Sequence, residues 1–480
     1  MRSMKFVWVG LFCLASLTAA HGQQPGEPWT LDRCIAHGLQ NNIQVRQGQL
    51  DVLSSEISTK QSQMERLPSA NASTSVGTNL GRSINPFTNQ FTEGTIVSQS
   101  LRANASMTLF SGFTIHNTIQ RNRINEEASQ YSLEATKNQV TLDVIGFYTQ
   151  VLFNREQLAA AKARLATSRA QLENTQTQVK LGVLPEANLL QAEQQVASDE
   201  VQVINFQNAA QLALLQLKQL IMVNPAEEFD IVNPTLTMPA NTTLMVTVQQ
   251  IFEEAVATQP SIKAVDARIE SAAYDVKIAN GGLYPTLSAG ITYSTAYSSQ
   301  AFAVPVGTDS TDFMIPIGVV TTTGDQVVTT RRLPTNYEEL NYFGQLDFNS
   351  STNVGATLSI PIFSNYRTKA QIEQAKISLE RAEVNAINSR NQLRQSIEQA
   401  YQNVLAAKQT YQANQNQVLA QQNLFNNVDQ RYQLGAANSV EFAQARNNLS
   451  SAENDLIRAK YDYLFSLKVL DFYQNKPLTF

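Results

Sequence analysis

The chain has 480 residues and a formal net charge of −5, and only 16% of its residues are charged. This length exceeds that of one ordinary domain. The acidic, charge-poor composition disfavours a nucleic-acid partner.

The N-terminus has the pattern of a secretory signal peptide. A cationic start precedes an apolar run over residues 6–17, and Ala20 and Gly22 stand at the small-residue positions before a cleavage site. We predict that residues 1–22 are removed, which takes away two cations and moves the net charge from −5 to −7. Cys34 is then the only thiol, which excludes an internal disulfide framework and a multi-cysteine zinc site. Beyond this segment no apolar stretch reaches the ~18 residues of a membrane-spanning helix.

The rest of the chain repeats one plan. Phe110 matches Phe363 within similar surroundings at an offset of 253 residues, whereas Pro68 matches Pro285 at an offset of 217. The second copy has therefore gained 36 residues between Pro285 and Leu358, in a stretch rich in Gly, Thr, Pro and aromatic residues that predicts loops. We predict a first repeat, a connector, a second repeat and a C-terminal tail, at residues 23–222, 223–246, 247–472 and 473–480.

Helices are predicted from the spacing of apolar residues. Heptads run through the longest helical segment of each half, at Val144, Val151, Leu158, Leu165, Leu172 and Val179, and at Ile397, Val404, Tyr411, Val418, Phe425 and Tyr432. This repeat favours long supercoiled packing over an ordinary soluble bundle. The predicted helices cover residues 31–66, 114–180, 185–222, 247–280, 365–433 and 440–471. The two longest reach ~100 Å each.

Strands are predicted between these helices. Apolar residues alternate with polar ones over about ten positions, as a tilted membrane-spanning strand requires; the apolar series include Leu101, Ala103, Ala105, Met107 and Leu109, then Leu287, Ala289, Ile291 and Tyr293, then Val354, Ala356, Leu358, Ile360 and Ile362. One such hairpin would fit a soluble protein equally well. Four strands cannot close a barrel, and open edges are not tolerated in lipid, so several chains must share one barrel.

The ordered set of features resembles the TolC family of outer-membrane efflux channels. The resemblance covers nearly all of the mature chain and rests on the repeated element order, the strand entries and exits and the helix breaks: Pro68, Pro285, Phe110-Ser111-Gly112, Phe363-Ser364-Asn365, Leu181-Gly182 and Leu434-Gly435. It implies an α+β membrane protein, a homotrimer with a twelve-stranded barrel in the outer membrane of a Gram-negative bacterium and a periplasmic α-barrel of long antiparallel coiled-coil helices. It also implies a passive exit duct for an inner-membrane pump, joined through a periplasmic adaptor protein, with no cofactor and no metal.

Two helix breaks form the tips of this arrangement. Gly182 and Gly435 supply the backbone freedom to end a helix, and Pro185 suits the first turn of the next one. By resemblance, the tips dock the adaptor through Leu181, Gly182, Val183, Leu184, Leu434, Gly435, Ala436 and Asn438. The alternative for each residue is a glycine-capped turn with no partner.

The resemblance also implies an entrance gate beside the second tip. Its acidic positions fall on Glu441 and Gln444, of which only Glu441 is charged, and three copies would form a ring that attracts cations. Tyr432 matches a tyrosine of the family gate, but its arginine partner falls on Ala437, which puts the family's polar lock in doubt. The alternative for Glu441 is a solvated acid at a helix start.

Two other classes of protein compete with a channel. An enzyme is disfavoured because His37 and His116, the only histidines after cleavage, have no nucleophile or metal ligand nearby in sequence. A periplasmic coiled-coil adaptor or structural protein without a pore is the stronger alternative, since it too would carry a signal and long hairpins. Adaptors, however, usually build one hairpin between other domains.

Overall fold

The computed structural model describes residues 28–84, 91–234, 246–300, 303–305, 310–334 and 337–476. The predicted signal peptide lies outside these residues, as do 235–245 of the predicted connector and the last four residues of the tail.

The described part of the first half contains four helices and two strands. In order these are α1 (Leu31–Asn41), α2 (Ile43–Met64), β1 (Ser69–Ile84), β2 (Phe91–Ser111), α3 (Thr114–Lys180) and α4 (Glu186–Leu220).

The second half follows the same order with additional elements between its two main strands. These are α5 (Val248–Thr258), α6 (Pro260–Gly281), β3 (Thr286–Ser298), β4 (Ala303–Pro305), β5 (Ser310–Val319), β6 (Gln326–Pro334), β7 (Tyr337–Glu339), α7 (Tyr342–Phe348), β8 (Ser351–Ser359), α8 (Arg367–Gln433) and α9 (Ser439–Tyr473). The predicted loop insertion is therefore wrong in part, because it contains a short helix and paired strands.

The described chain forms two compact units. The first unit comprises the described parts of residues 1–49, 132–260 and 390–480, and the second comprises those of 50–131 and 261–389. The core of the first unit surrounds Tyr148, whose hydroxyl donates to the Val232 carbonyl at 2.8 Å. Cys34 is fully buried in the same cluster.

The heptad prediction is confirmed in the first unit. Val144, Val151, Ile397 and Val404 are buried, and the later members of both series are at least half-buried. The apolar series therefore stays on one face of each long helix, as helices that pack over many turns require. Among the described residues, no helix combines the length and hydropathy of a membrane span.

The first helix of each half is broken where we predicted a continuous helix. Asn42 and Gln259 have extended backbones with ψ near 134° and 123° and separate α1 from α2 and α5 from α6. The Asn42 side chain accepts from the Gln44 amide in the first turn of α2 and donates to the carbonyl of Leu220, the last residue of α4. It therefore pairs backbone groups at the start of one helix and at the end of another. At the second break, Pro260 disfavours helical backbone in the residue before it.

The second unit contains a four-stranded antiparallel sheet in the order β1-β2-β3-β8. The register places apolar residues of neighbouring strands opposite one another, as in Ala72 with Ala103, Ala105 with Ile291, and Ile291 with Val354. The other face carries serine, threonine and asparagine, with Ser75 and Ser100 hydroxyls 2.7 Å apart. The alternation is thus confirmed, although β8 ends at Ser359 and excludes the last two predicted positions.

Both strand exits use left-handed backbone before a long helix. Gly112 and Phe113 have φ of 61° and 65°, and the equivalent residues Asn365 and Tyr366 have φ of 49° and 67°. A Cβ at Gly112 would lie 2.3 Å from the Gly281 carbonyl oxygen. The exit therefore needs glycine in the first copy both for conformation and for space.

Candidate functional site at the hairpin tips

The first tip joins α3 to α4. Gly182 has φ of 71°, the Gly182 amide donates to the Val179 carbonyl at 3.0 Å, and the Val183 amide donates to the Gln178 carbonyl at 2.9 Å. These two bonds form a Schellman motif, which satisfies the last carbonyls of a helix. A Cβ at Gly182 would meet nothing within 4 Å, so conformation alone requires the glycine.

The second tip repeats this geometry between α8 and α9. Gly435 has φ of 72°, its amide donates to the Tyr432 carbonyl at 3.0 Å, and the Ala436 amide donates to the Arg431 carbonyl at 2.7 Å. The expected helix breaks are thus confirmed as two matching caps. The Asn438 side chain begins α9 by accepting from the Glu441 amide at 2.8 Å.

The start of α4 differs slightly from the prediction. Pro185 is the N-cap, with φ of −65° and an extended ψ of 152°, and the helix begins at Glu186. Proline lacks the amide that the first turn leaves unpaired, so it costs no hydrogen bond at this place.

Apolar side chains project from both tips. Leu181 is 73% exposed and Leu434 is 85% exposed, and Val183 and Val440 are exposed as well. Leu184 is half-buried, whereas Gly182, Gly435, Ala436 and Asn438 are exposed. Exposed apolar groups surrounded by polar residues are typical of a surface that binds another protein.

The predicted gate tyrosine lies inside an aromatic cluster behind the second tip. The Tyr432 ring stacks on Phe442 with centroids 4.8 Å apart and planes 25° apart, and Phe442 also contacts Phe425 at 5.6 Å. Tyr432 therefore stabilises the base of its own hairpin. Phe442 is a residue of this cluster that our site prediction missed.

Glu441 has a local cationic partner. Its carboxylate lies 2.8 Å from the Arg431 guanidinium, whose other nitrogen donates to the Ala436 carbonyl at 3.3 Å. Arg431 is thus a guanidinium at the end of α8, and its carboxylate partner is Glu441. Both side chains of the pair are more than one-third exposed, so the attraction is weak and easily broken. Gln444 is exposed and donates to Asn448 on its own helix.

A cavity of about 180 Å³ lies between the two hairpins of the first unit. Its polar lining comes mostly from α3 and α4, including Thr175, Gln171 and Gln195, and its aromatic lining comes from Tyr432 and Phe442. Open volume therefore lies between the two hairpins, beside the aromatic cluster of the second one.

A buried polar network closes the deep end of this cavity. Arg446 of α9 forms an ion pair of 2.9 Å with Asp199 of α4, and both side chains are only 13% exposed. The same guanidinium contacts the hydroxyl of Ser168 on α3, and that hydroxyl also bonds to Asp199. The network joins one hairpin to the other, and sequence reasoning missed it.

The network continues along the seam between α3 and α9. Arg164 donates to the Ser450 carbonyl at 3.2 Å and to the Asn454 side chain at 2.9 Å, and Gln157 donates to the Asn454 carbonyl at 3.2 Å. The pKa of Arg164 is lowered, mainly because burial removes water from around the charged guanidinium. Polar contacts at intervals of one or two turns therefore fix the relative position of these two helices.

The described residues contain no group of three His, Cys, Asp or Glu side chains that could hold a metal ion. His37 packs edge-on against Trp29 at 5.0 Å, and burial lowers its pKa. His116 lies on the exposed side of α3.

Comparisons with known proteins agree with this architecture. The chain is 23% identical over 388 residues to the outer membrane efflux protein BepC of Brucella suis, an alignment that covers 80% of this chain and 72% of that protein. It superposes on a membrane protein of Pseudomonas aeruginosa with a TM-score of 0.72, at 15% identity and with 92% and 89% of the two chains covered. For the outer membrane channel MtrE of Neisseria gonorrhoeae the TM-score is 0.66, at 16% identity with 94% and 89% covered.

The family model described as outer membrane efflux protein matches residues 35–221 and 251–473. These two segments include both tips and all four strands of the sheet. Because the match extends over well more than half of the sequence, the chain belongs to the outer membrane efflux protein family.

Proposed function

We propose that this outer membrane efflux protein is the exit duct of a tripartite system, in which an inner-membrane pump supplies the energy and a periplasmic adaptor makes the connection. The protein itself conducts small molecules or exported substrates passively and performs no chemistry. Family membership together with the apolar, exposed tips carries this proposal. We further propose that residues 23–222 and 247–472 are its two structural repeats, since the family match falls in two segments close to these bounds.

The active form that we propose is a homotrimer with a shared twelve-stranded barrel. The four-stranded sheet of one chain ends in β1 and β8, whose outer edges have no partner strand within the described chain. Bare backbone groups at such edges cannot face lipid. Three chains would pair β1 of one copy with β8 of the next and leave interior room for cargo.

The adaptor would bind at the tips. Leu181, Val183 and Leu434 offer apolar contacts, and the two Schellman caps hold them on matching rigid turns. The resemblance of the two tips favours an adaptor that contacts both by similar means. We propose Leu181, Gly182, Val183, Leu184, Leu434, Gly435, Ala436 and Asn438 as the docking residues.

The entrance gate would involve Tyr432, Glu441 and Gln444. In one chain, Tyr432 packs on its own hairpin and Glu441 pairs with Arg431, so opening need not break a Tyr432 hydrogen bond to the other hairpin. Adaptor binding would bias a pre-existing equilibrium between closed and open entrances.

Three measurements test the proposal: membrane fractionation, conductance and co-purification with the adaptor and pump. The protein expressed with its native N-terminus should fractionate with the outer membrane as a detergent-dependent, heat-modifiable trimer, and the purified trimer should conduct ions in planar bilayers. Leu181→Asp combined with Leu434→Asp should abolish co-purification with the adaptor and pump while leaving conductance intact. Leu190→Asp, on an exposed site of α4 outside the docking set, is the control. A buffer-soluble monomer would favour the pore-free adaptor instead.

A further inference from the structure

The short helix α7 lies beside β3, at the end of that strand farther from the long helices. The Gln345 side chain accepts from the Ser298 amide at 3.0 Å, and Asn349, which follows α7, donates to the Ala296 carbonyl at 2.9 Å. The Thr295 hydroxyl donates to the Leu346 carbonyl. Since α6 leads into β3 at Thr286, residues 295–298 are at the opposite end of β3, beyond its last pair with β8, whereas the paired strands β1 and β2 continue for seven further residues each.

The face that α7 covers is the apolar one. Thr295 lies opposite Leu101 in the register and shares its face with Tyr293 and Ile291. Tyr342 of α7 extends this contact, because its ring lies 5.0 Å from Tyr297 and its hydroxyl donates to Gln99 at 2.8 Å.

Two of the three aromatic rings of α7 face outward, whereas its amide side chain is buried. Gln345, its amide-bearing residue, is only 6% exposed, whereas Phe343 is 78% exposed and Phe348 is 60% exposed. A short helix on a water-bathed surface would turn the aromatic rings inward. The Asn341 side chain caps the helix by accepting from the Gly344 amide at 2.8 Å, so this arrangement is held by regular local bonds.

The charge of α7 limits how deep the helix can lie. Asp347 is exposed beside Phe348. A carboxylate is costly within hydrocarbon, but aromatic rings are favoured at the boundary between headgroups and acyl chains. An aromatic surface with one acid therefore fits the interfacial layer of a bilayer, rather than its centre or open water.

We infer that α7 is an interfacial helix that binds lipid of the outer leaflet through Phe343 and Phe348. This inference rests on the proposed function, which puts the long helices in the periplasm, the sheet across the membrane and hence the far ends of the strands at the outer surface. The apolar face of the sheet is the lipid-contacting surface in that arrangement, and α7 extends the surface at its outer rim. The helix thus fixes the height of the barrel in the membrane.

Tryptophan fluorescence tests this placement. The mature chain contains one tryptophan, the buried Trp29, so Trp29→Phe gives a silent background for single tryptophans. Phe343→Trp reports on α7, Ile291→Trp on the apolar face of the sheet, and Val320→Trp on the exposed end of β5–β6. Each variant is expressed with residues 1–22, and the processed chain, which lacks Trp8, is reconstituted in vesicles of phosphatidylcholine brominated either near the headgroup or near the chain end. Acrylamide serves as the aqueous quencher.

The three positions should give different patterns. We expect Phe343→Trp to lose more emission with bromines near the headgroup than with bromines near the chain end. Ile291→Trp should lose emission with both lipids, and Val320→Trp should be quenched by acrylamide alone. If Ile291→Trp is quenched by lipid but Phe343→Trp only by acrylamide, the inference on α7 is wrong and the membrane placement stands. If Ile291→Trp escapes both lipids, the proposed function fails together with the inference.

Discussion

At the scale of single residues, glycine serves two different purposes in this fold. At Gly182 and Gly435 the left-handed backbone ends a helix and no neighbouring atom would obstruct a side chain. At Gly112 the same conformation coincides with a close approach of two chain segments. The sequence alone identified the first purpose from the helix break, but the second depends on Gly281, 169 positions away in the chain.

This difference predicts unequal effects of alanine. Gly182→Ala should lower the stability by about 1–2 kcal/mol, the cost of a left-handed L-residue. Gly112→Ala should cost clearly more, because the new methyl group would also lie 2.3 Å from the Gly281 oxygen. Thermal unfolding followed by circular dichroism gives both values. Equal shifts of the midpoint in the two variants would contradict the steric argument at Gly112.

Cys34 gives a second test at this scale. Its side chain is fully buried, and burial raises the pKa of the thiol to about 12. Only the thiolate reacts at an appreciable rate, so the native protein at pH 8 should not react with a maleimide. The unfolded protein, whose thiol has an ordinary pKa near 8.5, should react fully. Mass spectrometry measures the labelled fraction, and labelling of the folded protein at the unfolded rate would show that the core opens at Cys34.

At the scale of helices and strands, periodicity identified the elements but not their interruptions or their partners. The heptads located α3 and α8, and the bounds of α3 agree with the prediction at both ends. The break at Gln259 had a signal in Pro260, whereas the break at Asn42 depends on a carbonyl of α4 that no local pattern reveals. The helix α7 was hidden because seven residues are too few to show a period.

Periodicity likewise missed the ion pair between Arg446 and Asp199. It places each residue on a face of its own helix, but not opposite a particular residue of another hairpin. Removing one partner leaves a buried charge, so Arg446→Met should destabilise the first unit by about 3–5 kcal/mol. Arg446→Met with Asp199→Leu should recover most of this loss, because both charges are then gone.

Arg169 offers a matched control for this pair. Arg169 bonds to Glu200 at 2.8 Å between α3 and α4, the helices that carry Ser168 and Asp199, but both side chains of this pair are exposed. Arg169→Met should therefore change the unfolding midpoint very little. A loss at Arg446 no larger than that at Arg169 would mean that the buried network does not hold the hairpins together.

The exposed pair at the second tip is expected to affect conduction rather than stability. Three copies of Glu441 at the proposed entrance would favour cations, so Glu441→Gln should lower the cation preference measured from reversal potentials in a salt gradient. Glu200→Gln removes a comparable carboxylate from α4 and should leave the reversal potential unchanged. An equal change in both variants would assign the preference to net charge rather than to the entrance.

At the scale of the whole molecule, the open sheet relates one chain to the assembly. Alternation along each strand was readable from sequence, and the proposed closed barrel would pair the outer edges of β1 and β8, which have no partner strand within the described chain. The order β1-β2-β3-β8 was less accessible, because the segment between β3 and β8 contains strands that form separate two-stranded sheets. The pairing register, β4 with β7 and β5 with β6, separates these strands from those of the main sheet.

The proposed trimer predicts a specific pattern of disulfide cross-links. Within one chain, β1 and β8 are separated by two intervening strands, or roughly 14 Å at the usual strand spacing. A disulfide joins Cα atoms only about 4–7 Å apart. In a Cys34→Ser background, a cysteine on β1 at Ala72 combined with one on β8 at Val354, Ala356 or Leu358 can therefore bond only between copies.

For at least one of these three pairs, oxidation should produce a ladder on denaturing gels that ends at three chains. Ala72→Cys with Ala103→Cys is the control, because these residues are partners in the register of β1 and β2 within one chain. That disulfide should form without any ladder. A ladder that ends at two chains would indicate an eight-stranded barrel filled by side chains, and such a barrel could not serve as the exit duct. In the proposed function, conduction through the membrane therefore depends on closure of the barrel by three copies.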